Sequence, residues 1–172
     1  MYRIAVIGPE SSGKSTISKY IAKEFDAVLV EEYAREYLLN LDNPTKYIIE
    51  DLIKIARVQY DKSIHTIDSR NKICICDTEI LTVKIWAEDK FNNCPDEIES
   101  LFQKQQFDLY LLCKPDIEWE YDVLREDEDR RDYIFNIYHK YCNNFNLNYV
   151  EIEGDSDSRN KIIRKLFRQL NY

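Results

Sequence analysis

Gly8-Pro9-Glu10-Ser11-Ser12-Gly13-Lys14-Ser15-Thr16 decides how this 172-residue chain folds. The stretch reads G-x-x-x-x-G-K-S, the Walker A pattern. It stands in the context that gives the pattern meaning, with an apolar run (Arg3–Ile7) before it and an amphipathic run (Lys14–Phe25) after it. Glycines let the backbone turn its N–H groups inward around phosphate oxygens. A helix starting near Lys14 adds its positive N-terminal end. Lys14 has the reach for the β- and γ-phosphates, and Ser15 the hydroxyl for Mg²⁺. The chain has three glycines and two of them are in this loop, which makes a chance match rarer still. Gly8, Glu10, Ser11, Ser12, Gly13, Lys14, Ser15 and Thr16 are therefore the candidate loop for ATP with Mg²⁺.

Outward from the loop, strand and helix patterns alternate. Strands are expected at Arg3–Ile7, Ala27–Val30, Lys72–Cys76, Asp108–Cys113 and Asn148–Ile152. Helices are expected at Lys14–Phe25, Tyr33–Leu41, from an N-cap at Thr45 to about Asp68 with Ile48, Leu52, Ile55, Ala56 and Gln59 along one side, and at Ile80–Glu88. Three more follow: one with Pro95 in its first turn running to about Gln105, then Arg130–Asn144 and Ser156–Leu170. Short apolar strands separated by helices predict an α/β fold, a three-layer P-loop NTPase sandwich with a five-stranded parallel sheet and helices on both faces. Ligands then sit beyond the carboxyl ends of the strands. No repeat, low-complexity tract or Pro/Gly linker interrupts residues 1–172. One kinase-like domain is expected, with a charged lid near residues 117–131.

Composition removes several function classes. A net charge of −8 suits no sequence-independent grip on nucleic acid. No apolar run approaches the roughly 20 residues of a membrane span, and Met1 leads straight into a strand, so a cytoplasmic protein with no membrane contact is expected. Five cysteines form no disulfide-like framework and read as buried thiols, Cys74 and Cys76 sharing one strand face. His65 and His139 are too few and too isolated for a zinc site or a Ser–His–Asp arrangement.

Further candidates lie at the other strand ends. Asp77 closes an apolar strand and is either the Walker B acid that holds Mg²⁺ or the N-cap of the following helix. Gly154 closes the last strand, and the turn it opens is either a packing surface for adenine or a plain strand-to-helix turn. Arg125, Arg130 and Arg131 lie in the charged stretch 124–131, whose arginine forks suit phosphate oxygens; flanking acids leave a solvated face as the alternative. Glu31-Glu32-Tyr33-Ala34-Arg35-Glu36-Tyr37 follows the second strand. A carboxylate there can accept a hydroxyl proton and the tyrosines can stack on a ring, or the pattern is an exposed helix face. Tyr33, Tyr37 and Tyr60 are the stacking candidates.

Taken together, these stretches resemble the ribosylnicotinamide kinase domain of the bifunctional NadR-type enzymes. The resemblance runs nearly end to end, through Gly8–Thr16, Glu32–Tyr37, Asp51–Gln59, Cys76–Thr78 with Leu81-Thr82, Phe107–Leu109, Trp119 through Asp122 to Leu124-Arg125, and Asp157–Arg159. It implies transfer of the ATP γ-phosphate to the 5′-hydroxyl of nicotinamide riboside. Glu32 or Asp77 is then the base-like group, Lys14 and Arg125 stabilise charge, and Glu32, Tyr33, Arg35, Tyr37, Trp119 and Asp122 form the acceptor side. Glu31 stands where the family often has an aromatic residue, and Val123 where its lid has glycine. The family's adenylyltransferase and DNA-binding parts are missing from the 172 residues, so neither activity is expected, and a separate adenylyltransferase is a candidate partner.

The first function hypothesis is thus a small-molecule nucleoside kinase. The second is a P-loop ATPase or ATP-binding regulatory module acting with a protein partner. A nucleoside monophosphate kinase calls for more basic groups in the acceptor pocket. A GTPase lacks its guanine motif, which Leu112–Asp116 approaches only superficially.

Overall fold

Alternation along the first strand sets both faces of the molecule. The computed structural model describes residues 1–65 and 71–170. In it β1 (Tyr2–Ile7) sends Ile4 and Val6 to one side and Ala5 and Ile7 to the other, as a period-two strand must. All four residues have no exposed surface. Burial on both sides makes β1 a central strand, with β3 (Ile73–Asp77) pairing on one edge and β4 (Leu109–Cys113) on the other. β2 (Val28–Val30) and β5 (Tyr149–Ile152) complete the sheet in the order β2-β3-β1-β4-β5, every pair parallel.

Parallel neighbours need crossovers, and the crossovers are helices that cover the faces. One face carries α1 (Lys14–Glu24) and α7 (Ser156–Gln169), whose Ile17, Ile21, Ile163 and Phe167 close over Ile4 and Val6. Phe167 stacks on Phe25 at 4.0 Å. The opposite face carries α2 (Tyr33–Leu39), α3 (Ile49–His65), α4 (Ile80–Phe91), α5 (Asp96–Lys104) and α6 (Arg131–Asn144), packed on Ala5 and Ile7. This is the three-layer α/β arrangement expected from the sequence. The charged loop also appears where expected, ending in a 3₁₀ turn at Glu128–Arg130.

The long helix α3 departs from its predicted start. Thr45 is not its N-cap; its N–H and hydroxyl both donate to Asn43 Oδ1 in a preceding turn. Tyr47 is drawn into the core against Trp86, with ring centroids 4.8 Å apart, and the helix begins only at Ile49. Asp51 then accepts the Ile48 N–H at 3.0 Å, the reach-back half of a capping box. Ile48 precedes the helix and is 56% exposed rather than part of its buried side. The predicted far end, residues 66–68, lies outside the described residues. Pro95 is the N-cap of α5 and not inside its first turn.

Candidate active site

Backbone pairing fixes the phosphate loop beside its acid. The β1–β3 register sets Val6 opposite Asp77, and the Thr78 N–H donates to the Val6 carbonyl at 3.2 Å. The loop itself needs its glycines. Gly8 has φ +140°, and a Cβ there would stand 2.5 Å from the Cys113 carbonyl oxygen. Gly13, with φ +83°, is the N-cap of α1, and a Cβ there would meet Arg159 Nη1 at 3.0 Å. Ser12 Oγ donates to the Pro9 carbonyl at 2.7 Å. Lys14 Nζ donates to the carbonyls of Gly8 and Pro9 at 3.0 and 2.8 Å. The first turn of α1 has no acid, so nothing there opposes an anion at the positive helix end.

Asp77 lies behind this loop, 5% exposed. Burial pushes its carboxyl up, while the Ser15 hydroxyl, the Lys14 ammonium and the Ser18 hydroxyl pull it back. Its Oδ1 is buried without a hydrogen-bond partner among the described residues. An orphaned carboxylate oxygen beside a serine hydroxyl is an all-oxygen donor set of the kind a hard divalent cation takes, so Ser15 and Asp77 fit Mg²⁺. Asp77 is not the cap of the next helix. Glu79 is, its side chain accepting the Leu81 N–H at 2.7 Å.

A cleft of about 550 Å³ opens over the loop. Across from the phosphate loop it is lined by Glu32, Leu38, Tyr47, Trp86, Ile134 and Tyr138. Burial pushes the Glu32 carboxyl up; the Lys14 ammonium counteracts this and the Asp77 charge adds to it. Trp86 Nε1 and Lys90 Nζ both donate to the Tyr47 hydroxyl, at 2.8 and 2.5 Å, and Lys90 lies 3.9 Å over the Tyr47 ring. Tyr47 and Trp86 are thereby held edge to face.

The charged loop of residues 117–131 borders the cleft and is tied down on both sides. Arg35 of α2 pairs with Asp122 at 2.6 Å, which holds the Asp122 carboxyl below its usual range. Lys90 and Asp89 of α4 pair with Glu126 and Arg130, at 2.7 and 2.6 Å. Arg125 donates to the Glu120 carbonyl and to Ser11 Oγ.

Of the residues singled out in the sequence, Gly8, Glu10 to Thr16, Glu32, Arg35, Asp122, Arg125 and Arg130 line this one cleft. Others do not. Tyr33 and Tyr37 point away, because Ala34, Arg35 and Leu38 form the cleft-facing side of α2. Tyr33 lies under the Lys62 ammonium at 4.7 Å, and the Tyr37 hydroxyl donates to Asp51 at 2.7 Å. Tyr60 packs against the core. Trp119 is a platform for two guanidiniums, with Arg125 5.9 Å and Arg131 5.6 Å from its ring. Gly154 is braced by Asp116, which accepts its N–H at 2.7 Å, and by Arg159, which donates to its carbonyl at 2.8 Å. Glu31 is exposed and lies in a separate shallow hollow with Leu29, Val30 and Lys62. The cleft's own aromatics, Tyr47, Trp86 and Tyr138, escaped the sequence reading. A signal existed for Trp86: Thr82, Ile85, Trp86, Asp89 and Lys90 form one helical stripe of mixed polarity, a pattern that suits a cleft wall better than a core.

Fold and loop together define an α/β P-loop protein. The chain belongs to the family whose model is described as "AAA domain", which matches residues 3–159. It is 26% identical over 162 residues to the trifunctional NAD biosynthesis/regulator protein NadR of Escherichia coli (strain K12), covering 91% of this chain and 39% of that protein. The chain thus spans about two fifths of the length of the curated relatives it matches. Among solved structures, a NadR protein in complex with NR superposes with a TM-score of 0.76 at 24% identity, covering 91% of this chain and 44% of that one. Deoxyadenosine kinase from M. mycoides with dCMP and dCDP bound superposes with a TM-score of 0.67 at 17% identity, covering 96% and 99%. Those two likenesses carry the fold. The similarity to NadR matches the resemblance read from the sequence. A separate adenylyltransferase partner finds no support in relatives described as trifunctional single proteins. Among the described residues, no helix is long and apolar enough to cross a membrane.

Proposed function

We propose that the chain is an ATP-dependent kinase that phosphorylates the 5′-hydroxyl of nicotinamide riboside or a related nucleoside. One observation carries the reading: the half-buried Glu32 carboxylate and an aromatic wall of Tyr47, Trp86 and Tyr138 share one cleft with the phosphate loop. The names of the NadR relative and of the deoxyadenosine kinase neighbour support nucleoside chemistry. The NadR protein solved with NR supports nicotinamide riboside as the first acceptor to try.

Each residue then has a task. The loop N–H groups and Lys14 hold the triphosphate, with Lys14 moving from the Gly8 and Pro9 carbonyls to phosphate oxygens. Ser15 and Asp77 would hold Mg²⁺, which neutralises phosphate charge when bound. Glu32 faces the cleft whereas Asp77 lies behind the loop, so Glu32 is the group that takes the hydroxyl proton. The acceptor oxygen bonds to the γ-phosphorus, the bond from phosphorus to the β–γ bridging oxygen breaks, and ADP leaves. Arg125, on the lid, offsets charge on the moving phosphoryl group. Tyr47, Trp86 and Tyr138 take the base.

The test is ADP release with Mg-ATP, alone and with a panel of nucleosides headed by nicotinamide riboside, the mononucleotide being identified by mass. Nucleoside-stimulated release is expected. Equal hydrolysis across the whole panel would overturn the kinase reading.

A further inference from the structure

Glu10 belongs to the phosphate loop, yet its side chain serves the lid. Its Oε2 accepts the N–H of Glu126 at 2.8 Å and that of Asp127 at 3.1 Å, 116 and 117 residues further along the chain. Burial pushes this carboxyl up and the two N–H groups draw it back, followed by smaller effects of Asp127 and Lys14. Ser11 adds to the same junction. Its Oγ accepts the Glu120 N–H at 3.0 Å and Arg125 Nη1 at 3.4 Å, and its carbonyl accepts Arg131 Nη1 at 3.2 Å.

The tethers differ in kind. Arg35–Asp122, Lys90–Glu126 and Arg130–Asp89 run from the lid to α2 and α4, on the acceptor side, and are partly exposed ion pairs. Such pairs contribute little each. The half-buried Glu10 carboxylate takes two backbone donors on one oxygen, a charge-assisted contact that, unlike those ion pairs, ties up main-chain N–H groups of the lid. It joins the lid to the nucleotide loop, and the lid residue just before its first donor is Arg125.

We propose that Glu10 is a positioning residue: it latches the lid to the phosphate loop and so fixes where Arg125 stands over the cleft. The consequence for phosphoryl transfer rests on the kinase reading, but the latch itself does not. The experiment therefore has two readouts. In amide hydrogen exchange of the intact chain, Glu10→Ala should speed exchange at Glu126 and Asp127 about tenfold or more, with β1 and β3 unchanged. Glu10→Gln keeps an oxygen for both N–H groups and should recover most of the protection. Glu10→Asp is one methylene too short to reach them and should resemble Glu10→Ala, which keeps the test decisive if the alanine variant folds poorly. In turnover, kcat should fall about tenfold in Glu10→Ala while KM for ATP moves less than about threefold. Wild-type exchange at Glu126 and Asp127 in both the alanine and aspartate variants would overturn the latch. So would a rise in acceptor KM alone with unchanged exchange, which makes Glu10 a substrate contact. If the wild-type chain transfers no phosphoryl group to any nucleoside, the kinase reading fails and the exchange rates still decide the latch.

Discussion

Arg159 offers a quantitative test of how the phosphate-loop end is held together. It is 3% exposed and makes four hydrogen bonds: Nη1 to the Ser12 carbonyl at 2.6 Å, Nη2 to the Lys114 carbonyl at 2.8 Å and to Asp116 Oδ1 at 2.5 Å, and Nε to the Gly154 carbonyl at 2.8 Å. Arg159→Met keeps most of the buried stem and removes every donor. A hydrogen bond to a charged group contributes a net of about 1.5–3 kcal/mol, but the four act as one unit, and water can reach the partly exposed Asp116 and Gly154 side. Loss of about 3–5 kcal/mol is the reasoned total, the range for stripping a buried charge partner. For a chain of this size each kcal/mol moves Tm by about 2–4 °C, so Tm should fall by about 6–20 °C. The assay is thermal unfolding followed by circular dichroism, paired with ATP titration, since the Ser12 carbonyl belongs to the phosphate loop. Arg159→Lys, with one nitrogen in place of three, should recover only part of the loss. A Tm within about 2 °C of wild type would refute the reasoning, because the network would then be worth no more than its replacement by water.

Lys14→Ala should abolish transfer with Tm nearly unchanged; retained turnover would remove Lys14 from the phosphate site. Glu32→Gln should lower kcat by about 10²-fold or more with little change in ATP affinity, and a fall in ATP affinity instead would move Glu32 to the nucleotide side. Burial pushes the Glu79 carboxyl up to about 7 from an ordinary 4.5. A raised folded value means its contribution to stability is complete below about 4.5 and is lost as pH rises through about 7. The Tm of Glu79→Gln relative to wild type should therefore climb between pH 5 and pH 8; a flat difference shows that Glu79 does not titrate in that range.

The phosphate-loop side of the cleft was legible because its residues are contiguous. Gly8 to Thr16 declare a backbone shape, and the shape dictates what surrounds it. Asp77 was legible for a related reason, since an acid closing an apolar strand in a parallel sheet must lie at the ligand edge. The wall across from the phosphate loop is assembled from side chains far apart in sequence. Tyr47 comes from the segment before α3, Trp86 from α4 and Tyr138 from α6, and nothing local links the three. Tyr33 and Tyr37 looked better on paper because they flank Glu32, but the rotation of α2 about its axis decides which side chains face inward. That rotation follows from burial of Ala34 and Leu38, a tertiary choice. The start of α3 was misplaced for a similar reason: the pull of the core on Tyr47 outweighed the capping preference of Thr45.

The register that sets Val6 beside Asp77 has an evolutionary consequence. Phosphate loop and acid are fixed relative to one another by main-chain pairing, which side-chain replacements leave intact. The opposite wall is built from side chains of three separate segments, the stretch before α3, α4 and α6. A lineage carrying this scaffold can therefore change what the cleft admits through a few substitutions at positions such as 47, 86 and 138, while the phosphate loop and its acid are inherited unchanged.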